Sequence, residues 1–223
     1  MLLISRLLRV FAAAGALAFA LDALTAEAVT VVRRTVLDNP SPEGAMPGAH
    51  YMRLSLGVMR GTGWNADRVL EAARRAVVLL DQCAIRTEKI ELVEFEGPPR
   101  YRTLYTPVSR KLAAELRLNR PTVYFVANSN QFPRFDAEAI GRSNSLTRPE
   151  MADSAWIVQG ARDLDIIIAH ELVHVLADSG EHSAEPGNLM RDETVPTNTR
   201  LTPAQCARIV LKASENGLLT PLP

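Results

Sequence analysis

Three of the four histidines in this chain lie within thirteen residues, in the run His170-Glu171-Leu172-Val173-His174 and then, after a polar stretch, at His182. Neutral imidazole is a good ligand for divalent transition metals. On a helix, positions i and i+4 share one face about 5–6 Å apart at Cβ, so His170 and His174 can converge on one ion. Glu171 then stands beside that face. Its carboxylate can take a proton from a metal-bound water without being a ligand. His182 would give a third protein ligand and leave one coordination position open, as in a catalytic zinc site. The chemistry implied is hydrolysis by an activated water.

The pentapeptide spacing alone also occurs in helices whose histidines face solvent or sit satisfied in a core. The flanks argue for more. Leu164, Ile166, Ile167, Ile168 and Ala169 lead in, and Leu172, Val173, Val175 and Leu176 follow. A helix apolar on nearly every side is a buried helix. Two histidines and a glutamate in such a helix need partners, because an unpaired buried polar group costs several kcal/mol. A Zn2+ ion is the simplest partner that explains all three, as acceptor of the histidine lone pairs and as the holder of a water beside Glu171.

The segment His182-Ser183-Ala184-Glu185-Pro186-Gly187-Asn188-Leu189-Met190 resembles the matrixin branch of the metzincin metalloproteases. There the third zinc-binding histidine is followed by Ser, a Pro-Gly turn and Leu-Met at the same spacing. The resemblance implies His170, His174 and His182 as zinc ligands, Glu171 as general base and Met190 as the residue of the Met-turn. The sequence also departs from the motif H-E-x-x-H-x-x-G-x-x-H. Ala177 stands where the motif has Gly, and His182 follows His174 by eight positions rather than six. This reads as a longer turn through Asp178-Ser179-Gly180-Glu181, with Gly180 as the left-handed residue that ends the helix. Asp192 occupies the position where some metzincins carry a tyrosine near the metal.

Two other readings stay open. Glu193 lies nineteen positions after His174, a spacing that resembles gluzincin peptidases, whose third ligand is a glutamate on a later helix. Pro196 disfavours helix just there, which favours His182. The other reading is a non-catalytic metzincin fold that keeps metal for stability or binds a partner in its cleft. Glu171 argues against that, since a structural site has no need of a carboxylate at this position and tends to be closed by four protein ligands.

Residues 1–28 read as a signal peptide: Arg6 and Arg9, then the apolar run Val10 to Ala20, then Ala26-Glu27-Ala28 as a cleavage site. An uncleaved N-terminal anchor is the alternative. Either way the protein is expected in a secreted or periplasmic location. Residues 29–48 are expected to be a flexible N-terminal segment, with Pro40 and Pro42, and residues 49–223 the zinc peptidase domain. Two cysteines in an oxidising compartment read as a disulfide between Cys83 and Cys206, with two buried free thiols as the alternative. No cysteine precedes the domain, so no cysteine-switch latency is expected. Net charge is zero and no basic stripe is visible, which argues against nucleic acid or an anionic membrane as partner. The expected partner is a peptide or protein substrate, and the expected state a monomer.

The elements that must position this site follow from pattern. Residues 50–59 alternate as a strand, with His50 on its surface. Asn65 caps a helix to about Gln82 with Val69, Ala73, Ala76 and Leu80 as its stripe. Residues 85–95 form a strand. Thr106, as N-cap before Pro107, opens a helix to about Leu118. Residues 122–127 and 154–159 are strands, and the polar stretch between them holds either an irregular edge strand near 139–146 or a plain surface loop. Thr202-Pro203-Ala204-Gln205 is a capping box for a last helix ending near Gly217. The order is that of an α/β (α+β) chain. Its resemblance implies a metzincin-like twisted mixed sheet with an antiparallel edge strand, packed on the metal-binding helix. Substrate would add to that edge as a further strand.

Overall fold

A computed structural model describes residues 28–40, 49–130, 136–143 and 147–221. The signal-peptide assignment lies outside these residues up to position 27, as do residues 41–48 of the expected lead-in. The elements in chain order are β1 (Thr30–Asp38), β2 (His50–Met59), α1 (Ala66–Val78), a 3-10 turn (Leu79–Cys83), β3 (Ile85–Glu96), β4 (Thr103–Leu104), α2 (Thr106–Leu116), β5 (Thr122–Val126), β6 (Asn128–Ser129), β7 (Ala137–Ile140), β8 (Ser154–Val158), α3 (Leu164–Ala177), α4 (Pro203–Glu215) and β9 (Thr220–Pro221).

The main sheet runs β1-β3-β2-β5-β8-β7, with β9 paired to the start of β2. Its centre is parallel, and both edges are antiparallel: β1 against β3 and β7 against β8. Buried strands alternate faces with period two. Leu54, Leu56, Val123, Phe125, Ala155 and Ile157 pack on one side with α1, α3 and α4. Tyr124, Val126, Trp156 and Val158 pack on the other with α2 and Tyr101. The result is a mixed α/β fold with a twisted, mostly parallel sheet covered on both faces. Helix α3 is buried from Ile166 to Ala177, as its all-round apolar pattern requires. Each of its large aliphatic side chains contributes about 1.5–3 kcal/mol by leaving water.

Four expectations need correction. Residues 30–38, expected as part of a flexible segment, form β1. It is an exposed edge strand held by its ladder to β3 and by Arg34 to Glu91 at 2.7 Å. The edge strand near the cleft is Ala137–Ile140 rather than 139–146, and residues 144–146 lie outside the described residues. Helix α2 begins one residue early, with Tyr105 as N-cap and no side-chain cap from Thr106. Instead Ser109 Oγ reaches back and accepts from the Tyr105 N–H at 3.2 Å. Finally, Asp178, not Gly180, takes the left-handed conformation that ends α3, at φ 46°. Asp tolerates this region better than most residues, and its carboxylate finds partners there.

Candidate metal centre

His170 and His174 lie on the same face of α3, one turn apart, 3% and 8% exposed. Below them the chain leaves the helix at Asp178, and the Ser179 N–H closes the last turn on the His174 carbonyl at 3.1 Å. The chain then loops out to His182 and returns through Met190, where the Ser183 N–H meets the Met190 carbonyl at 2.6 Å. That return is anchored. The Leu189 N–H donates to the Arg200 carbonyl at 2.7 Å, and the Asn188 amide pairs with the Gln205 amide at 3.0 and 3.2 Å. Gln205 is also the N3 residue of the α4 capping box, which forms as expected. The third-histidine loop is therefore tied to the last helix, here through Gln205 and also through Arg208, which donates to Glu181 Oε2 at 2.5 Å.

The loop brings His182 to the other two. His174 Nε2 lies 3.0 Å from His170 Nε2 and 3.1 Å from His182 Nε2. All three Nδ1 atoms have acceptors: the Leu189 carbonyl at 2.8 Å for His170, the Ser179 carbonyl at 2.7 Å for His174 and Asp192 Oδ1 at 2.8 Å for His182. A carbonyl can only accept, so at His170 and His174 the Nδ1 carries the proton. Their Nε2 atoms are then lone-pair acceptors that cannot bond each other. Burial lowers the pKa of His170, and lowers that of His174 to about 4, which keeps both rings neutral at pH 7. Several lone pairs converging on one point need a cation. Tetrahedral zinc with bonds of about 2.0–2.1 Å would separate its nitrogen ligands by roughly 3.3–3.4 Å, close to the spacing seen. The donor set and its outer partners fit a metal ion.

Glu171 faces the same cleft, 8% exposed. Among the described residues its carboxylate makes no hydrogen bond or ion pair. Burial, and then the charge of Glu138, push its pKa up to about 8. A cation at the histidines would act in the opposite sense. The cleft holds about 700 Å³ and runs between α3 and β7. Ala137 and Ala139 turn their small side chains toward the α3 side of the sheet, and the outer edge of β7 has no partner strand among the described residues. Another cavity, of about 730 Å³ beside Arg53, Arg117 and Tyr124, contains none of these groups.

The remaining expected residues fall as follows. Met190 is 3% exposed and belongs to the same core cluster as Leu172, Val173 and Leu176 of α3. Cys83 and Cys206 are bonded, with Cα atoms 4.8 Å apart, tying the turn after α1 to α4. Glu193 is exposed and outside the histidine cluster; its carbonyl accepts from the Asn198 side chain at 2.6 Å. His50 starts β2, in register with Ile85 and Pro221, away from the cluster. Sequence reasoning missed Asp192 as a partner of His182, the Asn188–Gln205 pair, and the clasp that Asp178 makes with Ser143. In that clasp Asp178 Oδ1 accepts from the Ser143 N–H at 3.0 Å and from its hydroxyl at 2.8 Å. Gly141 leaves room for it, because a Cβ there would overlap Asp178 Oδ1. None of the three has a local signal; each joins residues brought together only by the fold.

No family model matches the sequence, and no curated protein matches it. Among solved structures the fold is similar to metalloproteinase-II from Bacteroides fragilis, with a TM-score of 0.50 at 16% identity over 85% of this chain. The chain spans 59% of the length of that protein. No helix among the described residues is long and apolar enough to cross a membrane.

Proposed function

We propose that this chain is an extracytoplasmic zinc endopeptidase in which His170, His174 and His182 hold the ion and Glu171 is the general base. The observation that carries this reading is the convergence of three Nε2 atoms whose Nδ1 atoms are all engaged by acceptors. The likeness of the fold to a protein named a metalloproteinase supports it. So does the position of Met190 in the turn that carries the Leu189 carbonyl, consistent with a matrixin-like arrangement.

His170, His174 and His182 would hold a zinc ion, which would supply Lewis acidity toward a scissile carbonyl and a water of lowered pKa. Glu171 takes the proton of the attacking water at its carboxylate and delivers it to the leaving amine. Substrate lies extended in the cleft and adds to the outer edge of β7 by main-chain hydrogen bonds. The short side chains of Ala137 and Ala139 leave room between that edge and α3. The Cys83–Cys206 disulfide fits an oxidising compartment, in keeping with the N-terminal signal read from the sequence. The folded domain of this proposal includes β1.

The gluzincin-like reading is disfavoured by Glu193 standing outside the cluster. The non-catalytic reading is disfavoured by Glu171, a buried carboxylate in the cleft that makes no hydrogen bond or ion pair among the described residues. The test is digestion of a mixed peptide library by the zinc-loaded chain from Val29 onward, with Glu171→Ala as control. Cleavage by the wild type alone is expected. Full zinc occupancy without cleavage of any peptide would favour the binding-domain reading.

A further inference from the structure

We infer that Asp192 is the positioning residue for the third histidine, and that it sets the affinity of the metal site; this rests on the zinc reading above. The three imidazoles are not held alike. His170 and His174 are fixed by a buried helix, and their Nδ1 protons go to main-chain carbonyls. His182 stands in a loop without regular structure, and its side chain is 39% exposed. Two things orient its ring. One is a near-parallel face on His170, with centroids 5.3 Å apart and planes at 21°. The other is Asp192 Oδ1, 2.8 Å from Nδ1.

The carboxylate acts in two ways. It selects the tautomer with the proton on Nδ1, which leaves the Nε2 lone pair free toward His174. It also raises the donor strength of the ring by stabilising positive charge that develops on it when a metal is bound. Asp192 is not itself a ligand, because it meets the far nitrogen of His182 and stands outside the group of ligating atoms. The loop that carries His182 is two residues longer than the motif it resembles, so more chain separates the ring from the end of the helix. Asp192 supplies the missing constraint. It does so from the strand of chain just past Met190, whose carbonyl holds the Ser183 N–H at 2.6 Å. The backbone of the loop is pinned by the Ser183–Met190 main-chain bond and by Glu181 on Arg208 at 2.5 Å, and the carboxylate of Asp192 holds the ring itself.

An exposed His–Asp pair with no metal contributes little to stability, and the Asp192 side chain is 82% exposed. Removing it should therefore leave the metal-free fold intact and act only on the metal. The experiment is competition with a chromophoric chelator for zinc in wild type, Asp192→Ala and Asp192→Asn, together with the visible spectrum of the cobalt(II)-loaded forms and the melting temperature of the metal-free forms. The expected result is a zinc Kd about 10–100-fold weaker in Asp192→Ala, partial recovery in Asp192→Asn, which keeps an acceptor oxygen, an altered cobalt spectrum and unchanged metal-free melting. A zinc Kd in Asp192→Ala within twofold of wild type would overturn the positioning role and leave the zinc site standing. Absence of tight zinc binding by the wild type would overturn both. A fall in the metal-free melting temperature with no loss of zinc affinity would mark Asp192 as a purely structural residue.

Discussion

The ring of His170 and the carbonyl of Leu189, nineteen residues later, are joined by a 2.8 Å hydrogen bond. It connects the buried helix to the turn that carries Met190, and it fixes the His170 tautomer before any metal arrives. His174 is held in the same way by the Ser179 carbonyl. The two helical histidines are therefore neutral, singly protonated at Nδ1 and aimed with Nε2 toward a common point. Zinc binding should need little reorganisation at these two positions.

The choice between His182 and Glu193 as third ligand can be read from affinity. His182→Ala should weaken zinc binding by more than about 100-fold, since loss of an outer partner alone costs about 10–100-fold. Glu193→Ala should leave the zinc Kd unchanged. Chelator competition on both variants makes the comparison, and the reverse order would move the site to the gluzincin-like arrangement.

In metal-free protein, Glu171 should make stability depend on pH. Burial raises its folded-state pKa to about 8 from an ordinary value of 4.5. Ionising it costs more in the folded state than in the unfolded state. Its contribution is thus complete below pH 4.5 and is lost as pH rises toward 8, by a few kcal/mol at most. The lowered pKa values of His170 and His174 act in the opposite direction, with stability lost as pH falls below their ordinary value of 6.5. They are present in both wild type and Glu171→Gln and largely cancel in a comparison. Melting of the two metal-free proteins should show Glu171→Gln gaining on wild type between pH 5 and pH 8. A constant difference would contradict the burial of this carboxyl.

The Cys83–Cys206 bond spans 123 residues of sequence. Closing so long a loop in the unfolded chain corresponds to about 4–5 kcal/mol in the chain-entropy model. Denaturant unfolding of the Cys83→Ser, Cys206→Ser double variant should lose most of that. A loss under about 1 kcal/mol would mean that the tie between the turn after α1 and α4 is held by packing alone.

Gly141→Ala should disturb the end of α3 from a distance. The new Cβ would overlap Asp178 Oδ1 and open the clasp on Ser143. The expected outcome is a lower melting temperature and weaker zinc binding, while Gly180→Ala, where a Cβ meets nothing within 4 Å, leaves both nearly unchanged. Equal behaviour of the two variants would show the clasp to be without consequence.

Much of the site was legible because its signals are local. His170, Glu171 and His174 share a helix whose apolar flanks announce burial, and the capping box at Thr202 and Gln205 closes as its spacing implies. Strand β2 declared itself by alternation, and β5 as a short apolar run that is buried on both faces. What escaped depends on contacts distant in sequence. Strand β1 has no buried face, and its pattern TVVRRTVLD resembles a solvated segment until β3 is beside it. Asp178 could displace Gly180 as the left-handed residue because Ser143, thirty-five positions earlier, supplies donors for its carboxylate. Asp192 meets His182 across a turn that is anchored to α4 through Asn188 and Gln205.

The most direct test is kcat/KM for the best-cleaved peptide, measured on wild type and Glu171→Ala with zinc content determined on the same samples. The expected result is equal zinc in both proteins and a fall of about 10²–10⁴-fold in the variant, the usual contribution of a positioned general base. Activity of Glu171→Ala within a few-fold of wild type at equal zinc would contradict the assignment of Glu171 as the base that activates water.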